Sequence, residues 1–174
     1  MDILTMKRKV AFVMSGIPSS GKSTWVRQHM DPEVDVHISR DEIRFALLNA
    51  EDEYFKAEDK VKQFFYKQIE EYTSNGFTDG YIFIDATHLS PWSRKQVRAH
   101  IAEGVYTVAI DFDVDIKTAL ERNAQRSGRA VVPENVIYRM YGQHVVPTLG
   151  EGFDEIWHMD KDGRLAWKEK MSEE

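Results

Sequence analysis

Five short apolar runs are spaced along the chain, and segments with a helical pattern separate them. The runs predict strands over residues 9–15, 36–38, 81–85, 105–112 and 155–159. Within the first run, Val10–Met14 is apolar throughout, which is typical of a parallel strand covered on both faces. Asp162 and Gly163 predict a short hairpin turn after the last run.

The segments between these strands carry helix-start signals and apolar residues at helical spacing. Ser39 and Glu42 form a capping-box pattern, and Ser90–Pro91 places an N-cap before a proline at the first helical position. We predict helices over residues 24–30, from Arg40 onward, and over 53–74, 91–103, 116–125 and 133–144. The spaced apolar positions in 53–74 are Tyr54, Val61, Phe65, Ile69 and Tyr72, and Asn75–Gly76 end that helix. Strands that alternate with helices indicate an α/β fold with a mainly parallel sheet.

The composition is that of one globular domain. The chain has 174 residues, of which 42% are hydrophobic and 30% are charged, which suits a substantial core. No apolar run approaches the roughly 18 residues that span a bilayer. The N-terminal basic residues follow a short apolar stretch, the wrong order for a secretory signal. Cysteine is absent, so disulfides and thiolate metal sites are excluded. We expect one cytoplasmic domain over residues 1–174, with no membrane partner.

The net charge of −6 argues against a protein that coats nucleic acid through a wide basic surface. It does not exclude a local basic pocket that holds a strand end, because distant surface charge is screened beyond about 8 Å at physiological salt. The charge leaves the assembly of the chain open, including assembly into a homo-oligomer.

Residues Gly16 to Ser23 complete the pattern G-x-x-x-x-G-K-[ST] between the first predicted strand and the first predicted helix. The glycines let the backbone wrap an anion, so successive N–H groups and the helix N-terminus point at phosphate oxygens. Lys22 is then able to reach the β- and γ-phosphates, and Ser23 to ligate Mg²⁺. We assign binding of ATP, or of another nucleoside triphosphate, to Gly16, Ser19, Ser20, Gly21, Lys22, Ser23 and Thr24. The alternative is a glycine turn before an ordinary helix.

The segment after the second predicted strand carries an acid and an arginine one helical turn apart. Ligands of open parallel sheets lie beyond the carboxyl ends of the strands, so we expect Asp41 and Arg44 near the glycine loop. Asp41 suits a general base for an acceptor hydroxyl, and Arg44 on the same helix face suits a phosphate beside that hydroxyl. The alternatives are that Asp41 only stabilises the helix N-terminus and that Arg44 is a solvated surface arginine.

The third predicted strand ends in Asp85, where a second acidic residue near Mg²⁺ is commonly needed. We assign Asp85 to the metal site together with Ser23, and Asp85 and Thr87 to the acceptor site. The alternative for Asp85 is an anchor or cap for the next loop. His88 is expected to be a polar surface group rather than a base.

Arginines form a stripe on the fifth predicted helix. Arg122, Arg126 and Arg129 are spaced i, i+4 and i+7 and lead into Ser127–Gly128. A flexible arginine loop that closes over a triphosphate stabilises transition-state charge and excludes water. We assign Arg122 and Arg126 to the nucleotide and choose Arg126 for the catalytic contact; Arg139 could belong to the same patch. The alternative is a solvated basic face.

Arg94, Lys95 and Arg98 form a second basic cluster after the third strand. The cluster either contacts the phosphates of an acceptor or is a solvated helix face. The sequence does not separate these two interpretations.

Taken in order, these segments resemble the kinase domain of phage-type 5′-hydroxyl polynucleotide kinases. The matching segments are Gly16–Trp25, Ile38–Arg44, Asp85–Pro91, Arg122–Arg126, Val132–Pro133 and Arg139–Tyr141. The resemblance covers residues 9 to 145. The glycine loop is shared by many unrelated nucleotide-binding proteins, whereas the Ser-Arg-Asp-x-x-Arg and Arg-Asn-x-x-Arg segments are more specific.

The resemblance implies an adenylate-kinase-like P-loop fold, with three layers and a small arginine-bearing lid over residues 126–132. It implies that Lys22 and Ser23 handle ATP and Mg²⁺ and that Asp41 is the general base on the 5′-hydroxyl. Arg44 would hold the neighbouring phosphate, and Arg126 would be the lid arginine on the ATP phosphates. The partner would be the 5′-hydroxyl end of a single-stranded nucleic acid, which enters a tunnel facing the ATP site.

Two departures from this pattern affect the interpretation. The resembled enzyme carries a phosphatase domain after its kinase domain, so we expect no phosphatase domain and no 3′-phosphatase activity here. The acidic run Asp111–Asp115 is interpreted as a strand end followed by a helix cap. Alignment around Ser127–Gly128 needs a shift of one residue, so a role carries over to Arg129 less directly than to Arg126.

Three functions are compatible with these patterns. The first is ATP-dependent transfer of phosphate to the 5′-hydroxyl of DNA or RNA. The second is a kinase of the same fold that acts on a small-molecule hydroxyl, such as a nucleoside, a sugar or an antibiotic. The third is a non-catalytic nucleotide-binding module.

Overall fold

The computed structural model describes residues 9–49, 52–53, 56–74 and 80–172. Within these ranges the strands are β1 Val10–Ser15, β2 Val36–Ser39, β3 Tyr81–Asp85, β4 Tyr106–Phe112, β5 Glu155–Met159 and β6 Leu165–Lys170. The α-helices are α1 Lys22–His29, α2 Arg40–Leu47, α3 Glu58–Ser74, α4 Pro91–Arg98, α5 Ile116–Ala124 and α6 Glu134–Gln143.

The strands form one sheet in the order β2-β3-β1-β4-β5-β6. Its first five strands run parallel, and β6 pairs antiparallel with β5 after the turn predicted at Asp162–Gly163. The predicted α/β fold with a mainly parallel sheet is therefore confirmed. The register pairs Ser39 with Asp85 and Ser15 with Asp111, so polar residues from four strands end at one edge of the sheet.

The core lies on both faces of the sheet, and β1 shows why its residues Val10–Met14 are all apolar. Ala11 and Val13 pack into a cluster with Phe65 and Ile69 of α3. The alternate residues of β1 face the other way and pack into a second cluster, which includes Trp25 of α1. A central parallel strand that is buried on both faces has no position at which a polar side chain meets water.

Two predicted helix bounds are wrong. The third helix begins at Glu58 rather than at residue 53, and the fourth ends at Arg98 rather than at residue 103. After Arg98 the chain continues with backbone bonds from the His100 and Ile101 N–H groups to carbonyls three residues earlier, which tighten the last turn. The predicted core position Tyr54 and the predicted stop at Asn75–Gly76 lie outside the described residues. Across the described ranges, no helix has the length and apolarity that a membrane crossing requires.

Candidate active site

A cleft of about 270 Å³ opens at the carboxyl edge of the sheet. It brings together segments that are far apart in the chain, namely the glycine loop, α2, the end of β3 and the residues after α5. The predicted site residues that line it are Ser19, Gly21, Lys22, Ser23, Thr24, Asp41, Arg44, Asp85, Thr87 and Arg126. Further lining residues that the sequence did not single out include Arg40, Phe45 and Glu58.

The glycine loop is shaped by backbone angles that favour glycine. Gly16 has a φ of 146°, and a Cβ there would lie 3.0 Å from the Phe112 carbonyl oxygen. Gly21, at the start of α1, has a φ of 101°, and Ser19 also adopts a positive φ of 64°. The Ser19 hydroxyl is buried and meets no hydrogen-bonding partner among the described residues. The turned backbone and this unused hydroxyl fit a phosphate cradle.

Lys22 is buried under the loop. Its ammonium group donates to the carbonyls of Gly16 and Ile17 at 2.8 and 2.7 Å, and to the Ser20 hydroxyl at 3.2 Å. Burial lowers the pKa of Lys22 to about 8; the charges of Asp85, Asp41 and Asp111 oppose this shift, and that of Arg126 adds to it. The lysine therefore lies where charges from β3, α2, β4 and the segment after α5 converge.

Asp85 and Ser23 lie side by side and fit a magnesium site. Burial raises the pKa of Asp85, but hydrogen bonds from His37 and Ser23 and the charge of Lys22 outweigh it and hold the pKa below its ordinary value. His37 reaches the carboxylate at 3.0 Å from β2. No group of three or more metal-binding side chains occurs among the described residues. One carboxylate and one hydroxyl suit Mg²⁺, which takes its other ligands from substrate phosphates and water.

Asp41 and Arg44 of α2 meet in the lining of the cleft. Nη1 of Arg44 donates to Oδ1 of Asp41 at 2.5 Å. The Arg44 side chain is only 5% exposed, whereas that of Asp41 is 63% exposed. The alternative of a solvated surface arginine is therefore wrong for Arg44. Glu58, the first residue of α3, accepts from Nη2 of Arg44 at 2.8 Å and from Nη2 of Arg40.

The segment after α5 borders the cleft, with Arg126, Arg129 and Ala130 in the lining. Arg126 is exposed, donates to the Ala130 carbonyl at 3.2 Å and lines the cleft. The side chain of Asn123 closes this segment by bonding both the N–H and the C=O of Val132. Arg129 reaches the Leu48 carbonyl at 3.4 Å and so contacts the chain just after α2.

Two predicted arginines lie elsewhere. Arg122 does not line the cleft; it donates to the Ser20 carbonyl of the loop at 3.4 Å and to the Lys161 carbonyl at 2.5 Å. It therefore joins the glycine loop to the turn between β5 and β6. Arg139 is exposed on α6 and is not among the lining residues.

In the second basic cluster, Arg94 and Arg98 have structural contacts. For these two residues, both a contact with acceptor phosphates and a solvated helix face are wrong. Arg94 is fully buried and forms a two-point ion pair with Glu151, at 2.7 and 2.8 Å. Arg98 donates to the carbonyls of Glu151 and Gly152. Only Lys95 is exposed. These arginines therefore attach α4 to the turn before β5.

His88 is buried rather than on the surface, so that expectation is also wrong. Its Nδ1 lies 2.7 Å from the Met14 carbonyl, to which it donates. Burial lowers the pKa of His88 to about 4, which keeps the ring neutral. The residue attaches the segment after β3 to β1 and does not line the cleft.

The Arg94–Glu151 pair makes a testable contribution to stability. We expect Glu151→Gln to lower the free energy of unfolding by about 3 kcal/mol, because it leaves a buried guanidinium without a counter-charge. Urea denaturation measures this change. Glu103→Gln, at an exposed carboxylate, is the control and should stay within about 0.5 kcal/mol of wild type. Equal stability of Glu151→Gln and wild type would contradict a structural role for the pair.

Solved structures share this fold at low sequence identity. A chain of the Pnkp1/Rnl/Hen1 RNA repair complex matches with a TM-score of 0.65 and 21% identity, over 80% of this chain and 45% of that one. A gluconokinase from Sinorhizobium meliloti 1021 matches with a TM-score of 0.59 and 18% identity, over 90% of this chain and 85% of that one. A fungal RNA kinase matches with a TM-score of 0.55 and 14% identity, over 95% of this chain and 79% of that one. The protein spans less than half the length of the first, and such identities show the fold alone.

No match is found among curated proteins. A family model described as an AAA domain, AAA_33, matches residues 12–147. The matched segment takes in the glycine loop, α2, the end of β3 and the arginine-bearing segment, which together form the cleft. The protein therefore belongs to this AAA-domain family.

Proposed function

We propose that the protein transfers the γ-phosphoryl group of ATP to the 5′-hydroxyl end of a DNA or RNA strand. The observation that carries the proposal is the contact of 2.5 Å between Asp41 and Arg44, in the same cleft as Lys22 and Ser23. A carboxylate and a guanidinium held together suit an acceptor that presents a hydroxyl beside a phosphate. The resemblance to polynucleotide kinases supports the same acceptor.

The glycine loop forms the donor half of the proposed site. Its backbone and the Ser19 hydroxyl would bind the phosphates of ATP, and Lys22 would leave its carbonyl partners to contact the γ-phosphate. Ser23 and Asp85 would hold Mg²⁺, which supplies neutralisation of the phosphate charge when it is bound. His37 orients Asp85 by hydrogen bonding. Arg126 would place a further positive charge on the transferred group.

The acceptor half would carry out the proton transfer. Asp41 takes the proton of the 5′-hydroxyl, and that oxygen forms a bond to the γ-phosphorus. The bond from this phosphorus to the β–γ bridging oxygen breaks, and ADP leaves with the electron pair. Arg44 holds the neighbouring phosphate of the acceptor and keeps Asp41 oriented. The local arginines make this acceptor compatible with a net charge of −6.

A small-molecule hydroxyl is the second candidate acceptor. The acidic net charge favours it, as does the likeness in fold to a gluconokinase. Incubation with labelled ATP and a panel of 5′-hydroxyl oligonucleotides, nucleosides and sugar acids separates the candidates. Label in the oligonucleotide alone supports the proposal, and label in a small molecule alone overturns it.

The lowered pKa of Lys22 gives the proposed ATP binding a defined pH dependence. The free protein loses the Lys22 proton as the pH rises through about 8. Bound phosphates favour the charged ammonium and raise its pKa, so binding must take up a proton at pH 9 but not at pH 7. ATP affinity should therefore fall as the pH rises above 8.

Calorimetry in buffers of different ionisation enthalpy measures this uptake. We expect ATP binding to take up as much as about one proton per ATP at pH 9 and close to none at pH 7. In Lys22→Met, this proton uptake should not rise with pH. An uptake at pH 9 that persists in Lys22→Met would contradict the assignment.

A further inference from the structure

Glu58 joins two arginines of α2, Arg40 and Arg44, in the lining of the cleft. Its Oε2 accepts from Nε and Nη2 of Arg44 at 3.3 and 2.8 Å, and its Oε1 accepts from Nη2 of Arg40. Glu58 and both arginines line the cleft. A single carboxylate is thus held by the guanidinium groups of two adjacent turns of α2.

This arrangement matches the way in which arginines bind a phosphate. Two oxygens of a phosphate span a pair of guanidinium groups as the two oxygens of a carboxylate do. We infer that Glu58 occupies, in the free protein, the place that the acceptor's phosphate takes on Arg40 and Arg44, and that it competes with that phosphate. The inference rests on the proposed function, in which Arg44 binds an acceptor phosphate.

The charges around Glu58 favour competition between Glu58 and an acceptor phosphate over simultaneous binding of both. Asp41 and Glu58 together neutralise Arg40 and Arg44. An acceptor phosphate makes the paired contact with Arg40 and Arg44 when the Glu58 carboxylate moves aside. The Glu58 side chain is 31% exposed, so it already borders solvent.

Two donors of arginines in the cleft lining are left over for a ligand. Nε of Arg40 and Nη2 of Arg129 are buried, and neither has a hydrogen-bonding partner among the described residues. Both arginines line the cleft. Unused buried donors cost free energy in the free protein, and an acceptor phosphate would satisfy them.

The consequence is a change in the relative affinity for acceptors with and without a phosphate. A hydroxyl compound without a phosphate has nothing with which to displace Glu58, whereas a strand end does. Glu58 would thus lower the affinity for strand ends and leave compounds that lack a phosphate unaffected. It is a specificity-determining residue and does not take part in proton transfer.

The test compares Glu58→Gln with wild type and with Asp59→Asn, which removes the same charge from the next, exposed residue of α3. We expect Glu58→Gln to lower the KM for a 5′-hydroxyl oligonucleotide by roughly fivefold, with the KM values for ATP and for a nucleoside acceptor unchanged. Asp59→Asn should leave all three KM values unchanged. An oligonucleotide KM that is unchanged or raised in Glu58→Gln would overturn the inference.

A second readout does not depend on catalysis. With a non-hydrolysable ATP analogue filling the glycine loop, inorganic phosphate should raise the Tm of Glu58→Gln more than the Tm of wild type or Asp59→Asn. An equal rise in the Tm of all three proteins would overturn the inference that Glu58 competes with phosphate. If wild type transfers phosphate to no oligonucleotide, the proposed function fails, and the Tm comparison still decides whether Glu58 occupies an anion site.

Discussion

Replacement of Asp41 by asparagine is expected to lower kcat for phosphoryl transfer by about 10²- to 10⁴-fold. The amide keeps the size of the side chain and an oxygen for Arg44, but it does not take the proton of the acceptor hydroxyl. Asp41 contacts Arg44 of the same helix, and its proposed role is in proton transfer, so the KM for ATP should change by less than about twofold. Steady-state kinetics with saturating ATP measure both quantities.

Glu42→Gln is the matched control for this prediction. Glu42 is the next residue of α2; it is exposed and is not among the lining residues. Its replacement removes the same charge from the same helix turn and should leave kcat within about twofold. A kcat of Asp41→Asn close to that of Glu42→Gln would show that Asp41 is not the base.

Replacement of Arg126 by alanine is expected to lower kcat by about 10³-fold, within the range known for arginines that stabilise a transferred phosphoryl group. The side chain is exposed, and its hydrogen bond to Ala130 is weak at 3.2 Å, so the fold and its Tm should be unaffected. ATP binding should weaken far less than catalysis, because the charge acts mainly on the transition state.

Arg139→Ala serves as the control here, because Arg139 is also exposed but lies outside the cleft lining. We expect its kcat to match that of wild type. A loss of activity in Arg126→Ala that appears only in the KM for the acceptor would assign this arginine to the acceptor side instead.

The strands that build the site could be predicted because their burial is visible in the local sequence. Phe12 and Val13 point to opposite clusters of the core, and both positions are apolar. The positions of Asp41, Arg44 and Asp85 beside the glycine loop also follow from local rules, since each lies at or just after the end of a parallel strand. The structure places all three residues in the lining of the same cleft.

The partners of these residues could not be predicted, because they depend on which elements become neighbours. His37 meets Asp85 only because β2 lies beside β3, and Glu58 meets Arg44 only because α3 packs on α2. Glu58 lies inside the helix predicted over residues 53–74, so the sequence gives no sign of its contact with Arg44. Only the structure places Glu58 at a helix start, where a carboxylate also interacts favourably with the helix dipole.

Buried charged residues were the main source of wrong expectations. Arg94 looks like a member of a solvated cluster, and its partner Glu151 is 57 residues away. The pattern predicts that Asp111 is part of a strand end before a helix cap, and Asp115 does cap α5. The sequence does not reveal that Asp111 is buried and contacts His144 at 2.8 Å, which joins β4 to the end of α6.

The most direct test of the central claim is a comparison of two oligonucleotides with one sequence, one ending in a 5′-hydroxyl and the other in a 5′-phosphate. Each is incubated with the purified protein, Mg²⁺ and ATP labelled at the γ-phosphate, and then digested to nucleotides. We predict label only in the first oligonucleotide, recovered on its 5′-terminal nucleotide. Label in neither oligonucleotide, or equal label in both, would contradict transfer to a 5′-hydroxyl end.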